Sequence, residues 1–106
     1  MNDKTAQETK QQTVKDRLQG ELESWQTKID EARLQMHLGA KEVEQNIQPH
    51  IERLEQEYTQ AKMQWEQLEN ASEGAWDDIQ GGVSRSMKSM QMAFEKAKKH
   101  FPDQDK

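Results

Sequence analysis

One apolar stripe runs almost the length of this chain. Stepping by three or four residues from Leu18 gives Leu22, Trp25, Ile29, Ala32, Met36, Ala40, Val43, Ile47, Ile51 and Leu54. It continues through Tyr58, Ala61, Trp65, Leu68, Ser72, Trp76, Ile79, Val83, Met87, Met90, Phe94, Lys98 and Phe101. Residues three and four apart stack on successive turns of a helix, so this spacing places them on one helical face. Apolar/polar alternation, the mark of a half-buried strand, never lasts beyond three or four residues. The pattern predicts an all-α protein.

The spacing is mixed. Over 18–32 and 54–68 the steps alternate four and three, a heptad, whereas over 32–54 and 68–101 they run four, four, three, an eleven-residue repeat. The 23 steps cover 83 residues, about 3.6 per turn, so left-handed and right-handed supercoiling nearly cancel. A narrow stripe cannot bury itself within one helix and needs partner helices. The predicted fold is a long helical hairpin or coiled coil with mixed heptad and eleven-residue repeats. It is expected to self-associate into a helical bundle, most simply an antiparallel dimer, with the large stripe residues from Leu18 to Phe101 as the interface.

Breakers divide this single domain. Residues 1–12 are polar and aperiodic and read as a frayed N-terminus, and 13–70 as one long helix kinked near Pro49. Proline lacks the amide hydrogen and collides with the carbonyl four residues back, here that of Gln45. Asn70-Ala-Ser-Glu-Gly74 reads as a turn over 70–74: Asn70 and Ser72 are good N-caps, and Asn70 and Glu73 have capping-box spacing. A second helix follows over 75–101, weakened at Gly81-Gly82, and 102–106 is a tail after the helix is stopped by Pro102. The fold-back point stays open among 70–74, Pro49 and Gly81-Gly82, because the stripe runs through all of them.

Composition supports a helix assembly. The 106 residues are 31% hydrophobic and 33% charged, with a mean hydropathy of −1.28, thin provision for a compact monomer. No cysteine is present, so disulfides and thiolate chemistry are excluded. The first twenty residues are polar throughout and no run of 18 apolar residues occurs, which reads as a cytoplasmic protein.

Charge changes sign along the chain. Residues 1–83 carry 9 basic and 17 acidic groups, a net of −8. Residues 84–101 carry Arg85, Lys88, Lys96, Lys98 and Lys99 against Glu95 alone, a net of +4. Met87, Met90, Met92, Phe94 and Phe101 lie in the same segment, so it is a basic amphipathic helix. Its five cations are the candidate contact for an anionic surface, either another protein or a membrane. The plainer reading is that cations near a helix C-terminus favour the macrodipole while Met and Phe fill a core. An acidic chain with no recognised binding motif is not expected to bind nucleic acid.

Catalytic patterns are missing. His37, His50 and His100 are preceded three residues earlier by Leu34, Ile47 and Ala97, so no Glu-x-x-His metal motif exists. There is no phosphate-binding glycine loop, and no Gly-x-Ser-x-Gly or Ser-x-x-Lys. The chain is read as no enzyme, with no catalytic residue, metal, cofactor or small-molecule substrate.

Ile51-Glu-Arg-Leu54, Leu68, Ala71-Ser72-Glu-Gly-Ala75-Trp76-Asp-Asp-Ile79, Gly82-Val83, Ala93-Phe94 and Ala97 to Phe101 carry a resemblance. Together they resemble a family of small bacterial coiled-coil stress-response proteins, over roughly residues 18–101 and most strongly over 68–101. This chain has Ser-Glu-Gly-Ala-Trp where the family has Ser-Gly-x-Ala-Trp, and Met87 where a second tryptophan is common. The resemblance implies a cytoplasmic, non-enzymatic protein linked to stress. The expected function is a coiled-coil interaction or scaffold protein in bacterial stress, the alternative being peripheral membrane binding through the basic C-terminal helix.

Overall fold

The computed structural model describes residues 3–102. It contains α1 (Asp3–Leu38), α2 (Lys41–Gln67), a single 3-10 turn (Leu68–Asn70) and α3 (Glu73–Lys98), with no strand among the described residues. The all-α expectation holds, but the chain reverses twice. Arg33 of α1 pairs with Glu55 of α2, while Lys15 pairs with Glu69 at 2.5 Å, so α1 and α2 are antiparallel. His50 stacks on His100 with ring centroids 6.2 Å apart, which makes α3 antiparallel to α2. The result is an up-down-up body of three helices, 61 × 21 × 15 Å. Helix α2 packs most closely on α3 and next on α1, whereas α1 and α3 touch least.

The long helix expected over 13–70 is broken at Gly39-Ala40 rather than kinked at Pro49. Helix α2 continues uninterrupted through Pro49, an exposed residue. The break has a steric cause. A Cβ on Gly39 would lie 2.5 Å from Val43 Cγ1 and 2.7 Å from Val43 Cβ, so the chain can bring Val43 this close only past a glycine. No glycine has a positive φ, so space rather than left-handed backbone selects the residue. Ala40 then turns extended (φ −66°, ψ 168°) and starts α2 with no side-chain cap. Glu42 and Glu44 in the first turn favour the helix dipole there.

The second reversal lies where the sequence placed it. Ser72 is the N-cap of α3, its Oγ accepting from the Ala75 amide at 3.3 Å. Asn70 instead closes the 3-10 turn, and Glu73 is the first residue of α3, so the Asn70–Glu73 capping box does not form. Gly81-Gly82 does not bend the chain and sits inside α3, where Gly82 leaves room for Gln64: a Cβ there would meet Gln64 Nε2 at 2.8 Å. Residues 3–12, expected to be frayed, lie within α1. Of the expected tail only Pro102 falls among the described residues.

Two reversals turn one long stripe into three short ones that face each other. Of the seventeen large stripe residues expected at an interface between copies, thirteen are buried inside this one chain. The other four, Val43, Trp65, Ile79 and Phe94, are half-buried against the same core. Leu18, Ile47, Leu54, Val83 and Met90 are fully enclosed. Burial of each such side chain contributes about 1.5–3 kcal/mol. The stripe thus finds its partner helices within the chain.

Aromatic groups fix the register. Trp25 meets Phe94 edge-on at 6.0 Å, and Phe94 meets Phe101 at 5.9 Å, tying α1 to α3. Trp65 donates its indole N–H to the Lys15 carbonyl at 2.9 Å, and the Lys15 ammonium lies 5.1 Å from the same ring. These contacts clamp α1 to the end of α2 where the chain turns into α3.

Candidate functional site

The sequence singled out the five cations of 84–101, and the structure divides them between the two sides and the outer face of α3. Arg85, Lys88, Lys96, Lys98 and Lys99 are all exposed. They are so because Met87, Met90, Ala93 and Ala97 on the same helix are buried, leaving the intervening positions to solvent. Among the described residues the ion pairs join Lys15 to Glu69, Arg33 to Asp30 and Glu55, and Arg53 to Glu57. None of the five enters one. Their charge is therefore presented outward.

Lys88 and Lys98 border a groove of about 610 Å³ between α1 and α3, the pair of helices that touch least. Trp25, Met87 and Phe94 form its apolar floor, with Glu21, Glu95 and Lys28 on the rim. The Lys28 ammonium lies over Trp25, 4.5 Å from the ring centroid. Such a contact is worth about 0.5–1 kcal/mol at an exposed site and holds a third cation at the groove. Lys98 was a member of the stripe but lies at this rim, outside the core.

Lys96 lies on the opposite side, in a smaller recess of about 210 Å³ between α2 and α3. There it meets His50 and Arg53 of α2, with Ser89, Met92 and Ala93 completing the walls. The His50 and His100 rings are nearly parallel, 9° apart. Burial, then the neighbouring His100 and then Lys96, hold the His50 imidazole below its ordinary value of 6.5. All three disfavour adding a proton beside existing positive charge in a partly desolvated place. His50 and Arg53 were no part of the basic segment and stand 46 and 43 residues before Lys96. Only the antiparallel α2–α3 register brings them to Lys96.

Arg85 lies at the middle of α3, its guanidinium near Gly81, and Lys99 caps the C-terminal end. Met92 is 55% exposed between the outward cations and the recess. His37 is exposed in the last turn of α1, apart from both of the other histidines in sequence and in element. Among the described residues no three His, Cys, Asp or Glu side chains are grouped so as to hold a metal ion. No helix is long and apolar enough to cross a membrane.

No family model matches the chain, and no curated protein or solved structure shows significant similarity to it.

Proposed function

We propose that this protein is a non-catalytic helical interaction protein that engages an acidic protein partner through the outer face of α3. One observation carries the reading: much of the apolar side of α3 is committed to the core, while the five cations of 84–101 are exposed and enter none of the ion pairs among the described residues. A surface built this way offers charge without a large apolar patch. It suits a salt-sensitive, rapidly formed contact more than a deeply buried one.

The same observation weighs against membrane insertion. Of the five apolar residues that would enter the acyl region, Met87, Met90 and Phe101 are buried, Phe94 is half-buried and Met92 is exposed. Inserting them requires α3 to leave the bundle, which forfeits their packing. Electrostatic attachment to lipid headgroups remains the competing outcome. The bacterial, cytoplasmic and stress-related setting belongs to this proposal and rests on the resemblance over residues 68–101.

Self-association is a second reading, supported by the charge asymmetry. Residues 84–101, the C-terminal part of α3 and its cap, carry a net +4 and α2 a net −3, so the basic end of α3 in one copy complements the acidic α2 of another. On this reading the joint between copies is electrostatic, because the apolar stripe is spent within each chain.

The test is titration of the full chain with a labelled glutamate-rich peptide, beside phosphatidylserine and phosphatidylcholine vesicles. Sedimentation equilibrium at low and high salt runs in parallel. Expected are peptide binding that salt weakens and that Lys96→Glu/Lys98→Glu/Lys99→Glu abolishes. Peptide binding unchanged in that triple variant overturns the reading. Binding to anionic vesicles with none to peptide transfers it to the membrane. Salt-sensitive mass above one chain, lost in the triple variant, assigns the face to a second copy.

A further inference from the structure

We propose that the recess between α2 and α3 is a seat for a tetrahedral oxyanion of the sulfate or phosphate class, held by His50, Arg53, Ser89 and Lys96. The inference is separate from the reading of the wider α3 face, since a small ion tests it without any macromolecule.

The lining is chemically one-sided. It offers a guanidinium, an ammonium, an imidazole and a hydroxyl, with Met92 and Ala93 as the apolar wall, and no carboxylate among them. Helix α1 contributes nothing to it. Positive groups gathered in a partly desolvated recess repel one another, and an anion bound among them removes that cost while accepting their hydrogen bonds. Arg53 is suited to the task, because its ion pair with Glu57 is made through Nε, at 3.3 Å, and the terminal N–H groups of the guanidinium can serve a second acceptor. The volume, about 210 Å³, equals several water molecules at about 30 Å³ each, room for a tetrahedral ion with part of its hydration.

The neighbours of His50 give the site a pH response. Across the recess it faces Lys96 of α3, its ring stacks on His100 just beyond the end of α3, and along its own helix lies Arg53, itself bonded to Glu57. Burial, then His100 and Lys96, hold the imidazole below its ordinary value, and a bound dianion opposes this by favouring its proton. By linkage, whatever protonates His50 tightens the anion, and the anion in turn raises the pH at which His50 titrates. Sulfate keeps its two charges across neutral pH, so its affinity isolates the contribution of the protein.

The experiment follows the His50 and His100 ring resonances of the full chain by NMR. Sodium sulfate is titrated at pH 6 and pH 8 against sodium chloride at matched ionic strength. Expected is a saturable sulfate shift that is several-fold tighter at pH 6. The His50 titration should move up by about half to one pH unit when the ion is present. Lys96→Gln and Arg53→Gln should each weaken binding about tenfold, the loss of one charged hydrogen-bond donor. Lys62→Gln, which removes an exposed charge elsewhere on α2, should leave it unchanged. Circular dichroism checks that each variant remains helical. Shifts that chloride reproduces, or a Lys62→Gln loss equal to that of Lys96→Gln, overturn the proposal. Displacement of sulfate by a phosphoserine peptide assigns the seat to a phosphorylated chain, and displacement by inorganic phosphate alone to the free ion. Failure here with the acidic peptide still bound dismisses the seat and spares the wider face.

Discussion

Replacing Gly39 by alanine distinguishes a chain that reverses at this point from one that continues as a single long helix. In a continuous helix, Gly39→Ala removes a flexible residue and stabilises by about 0.5–1 kcal/mol. In the three-helix body the new methyl lands 2.5 Å from Val43 Cγ1 and 2.7 Å from Val43 Cβ. Rotating Val43 relieves the first contact but not the second, because Cβ is fixed to the α2 backbone. The start of α2 must therefore move by roughly 1 Å, against Pro102 Cγ, which lies 3.4 Å from the same methyl. Overpacking of this kind costs about 1–3 kcal/mol. Subtracting the favourable loss of glycine entropy, about 0.4–1 kcal/mol, leaves a net destabilisation of about 1–2 kcal/mol. For a domain of this size that lowers Tm by roughly 4–8 °C per kcal/mol. The controls are Gly20→Ala, where the added Cβ meets nothing within 4 Å, and Gly81→Ala, where only Arg85 comes near at 3.5 Å. Both should stabilise by about 0.5–1 kcal/mol. Urea unfolding followed by tryptophan fluorescence and far-UV circular dichroism measures all three on the same footing. If Gly39→Ala stabilises as much as Gly20→Ala does, the close approach of Val43 does not hold the turn and the argument for the first reversal fails.

Three further outcomes follow from the helix ends and the histidines. Ala40 occupies an N-cap with no side-chain acceptor, so Ala40→Asp should raise stability by about 1 kcal/mol, read as the urea midpoint at unchanged slope. Ser72→Ala removes the acceptor for the Ala75 amide and should cost about 0.5–2 kcal/mol, with Ser72→Asp restoring most of it. His50 is held below 6.5 in the folded state, so the unfolded chain binds more protons as pH falls. Stability should therefore decline as pH drops through 6.5 and level off below the folded value. In His50→Gln this component of the slope disappears, and an unchanged slope refutes it.

The stripe was legible because helical spacing is local: three or four residues suffice to show that Leu18, Trp25, Ile51 or Met90 lies on an apolar face. Ser72 was legible for the same reason, since a cap acts on the amides that follow it. Gly39 was not. No Asn, Ser or Pro accompanies it, and the stripe keeps its phase through Met36, Ala40 and Val43 as though the helix continued. The reason for that glycine is an approach by Val43 that exists only once the chain has turned. Pro49 misled in the opposite direction, because proline discourages a helix locally while packing of Ile47, Ile51 and Leu54 holds α2 together across it. That so much of the stripe is buried within one chain depends on the first reversal, which the spacing did not show. The candidate site divides likewise: the cations of α3 were visible as a charge run, but His50 and Arg53 joined Lys96 only through the register of α2 against α3.

An odd number of antiparallel helices sends the two ends of the body in opposite directions. The start of α1 lies beyond the turn between α2 and α3, whereas Pro102 sits beside Gly39 at the far end of a 61 Å long axis. Tension applied between those ends therefore pulls α1 and α3 lengthwise past α2, loading the whole core in shear at once. A two-helix hairpin would instead peel open one turn at a time from its paired ends. Linked at both ends, this protein would act as a stiff spacer of about six nanometres that yields in a single step, without opening like a zip.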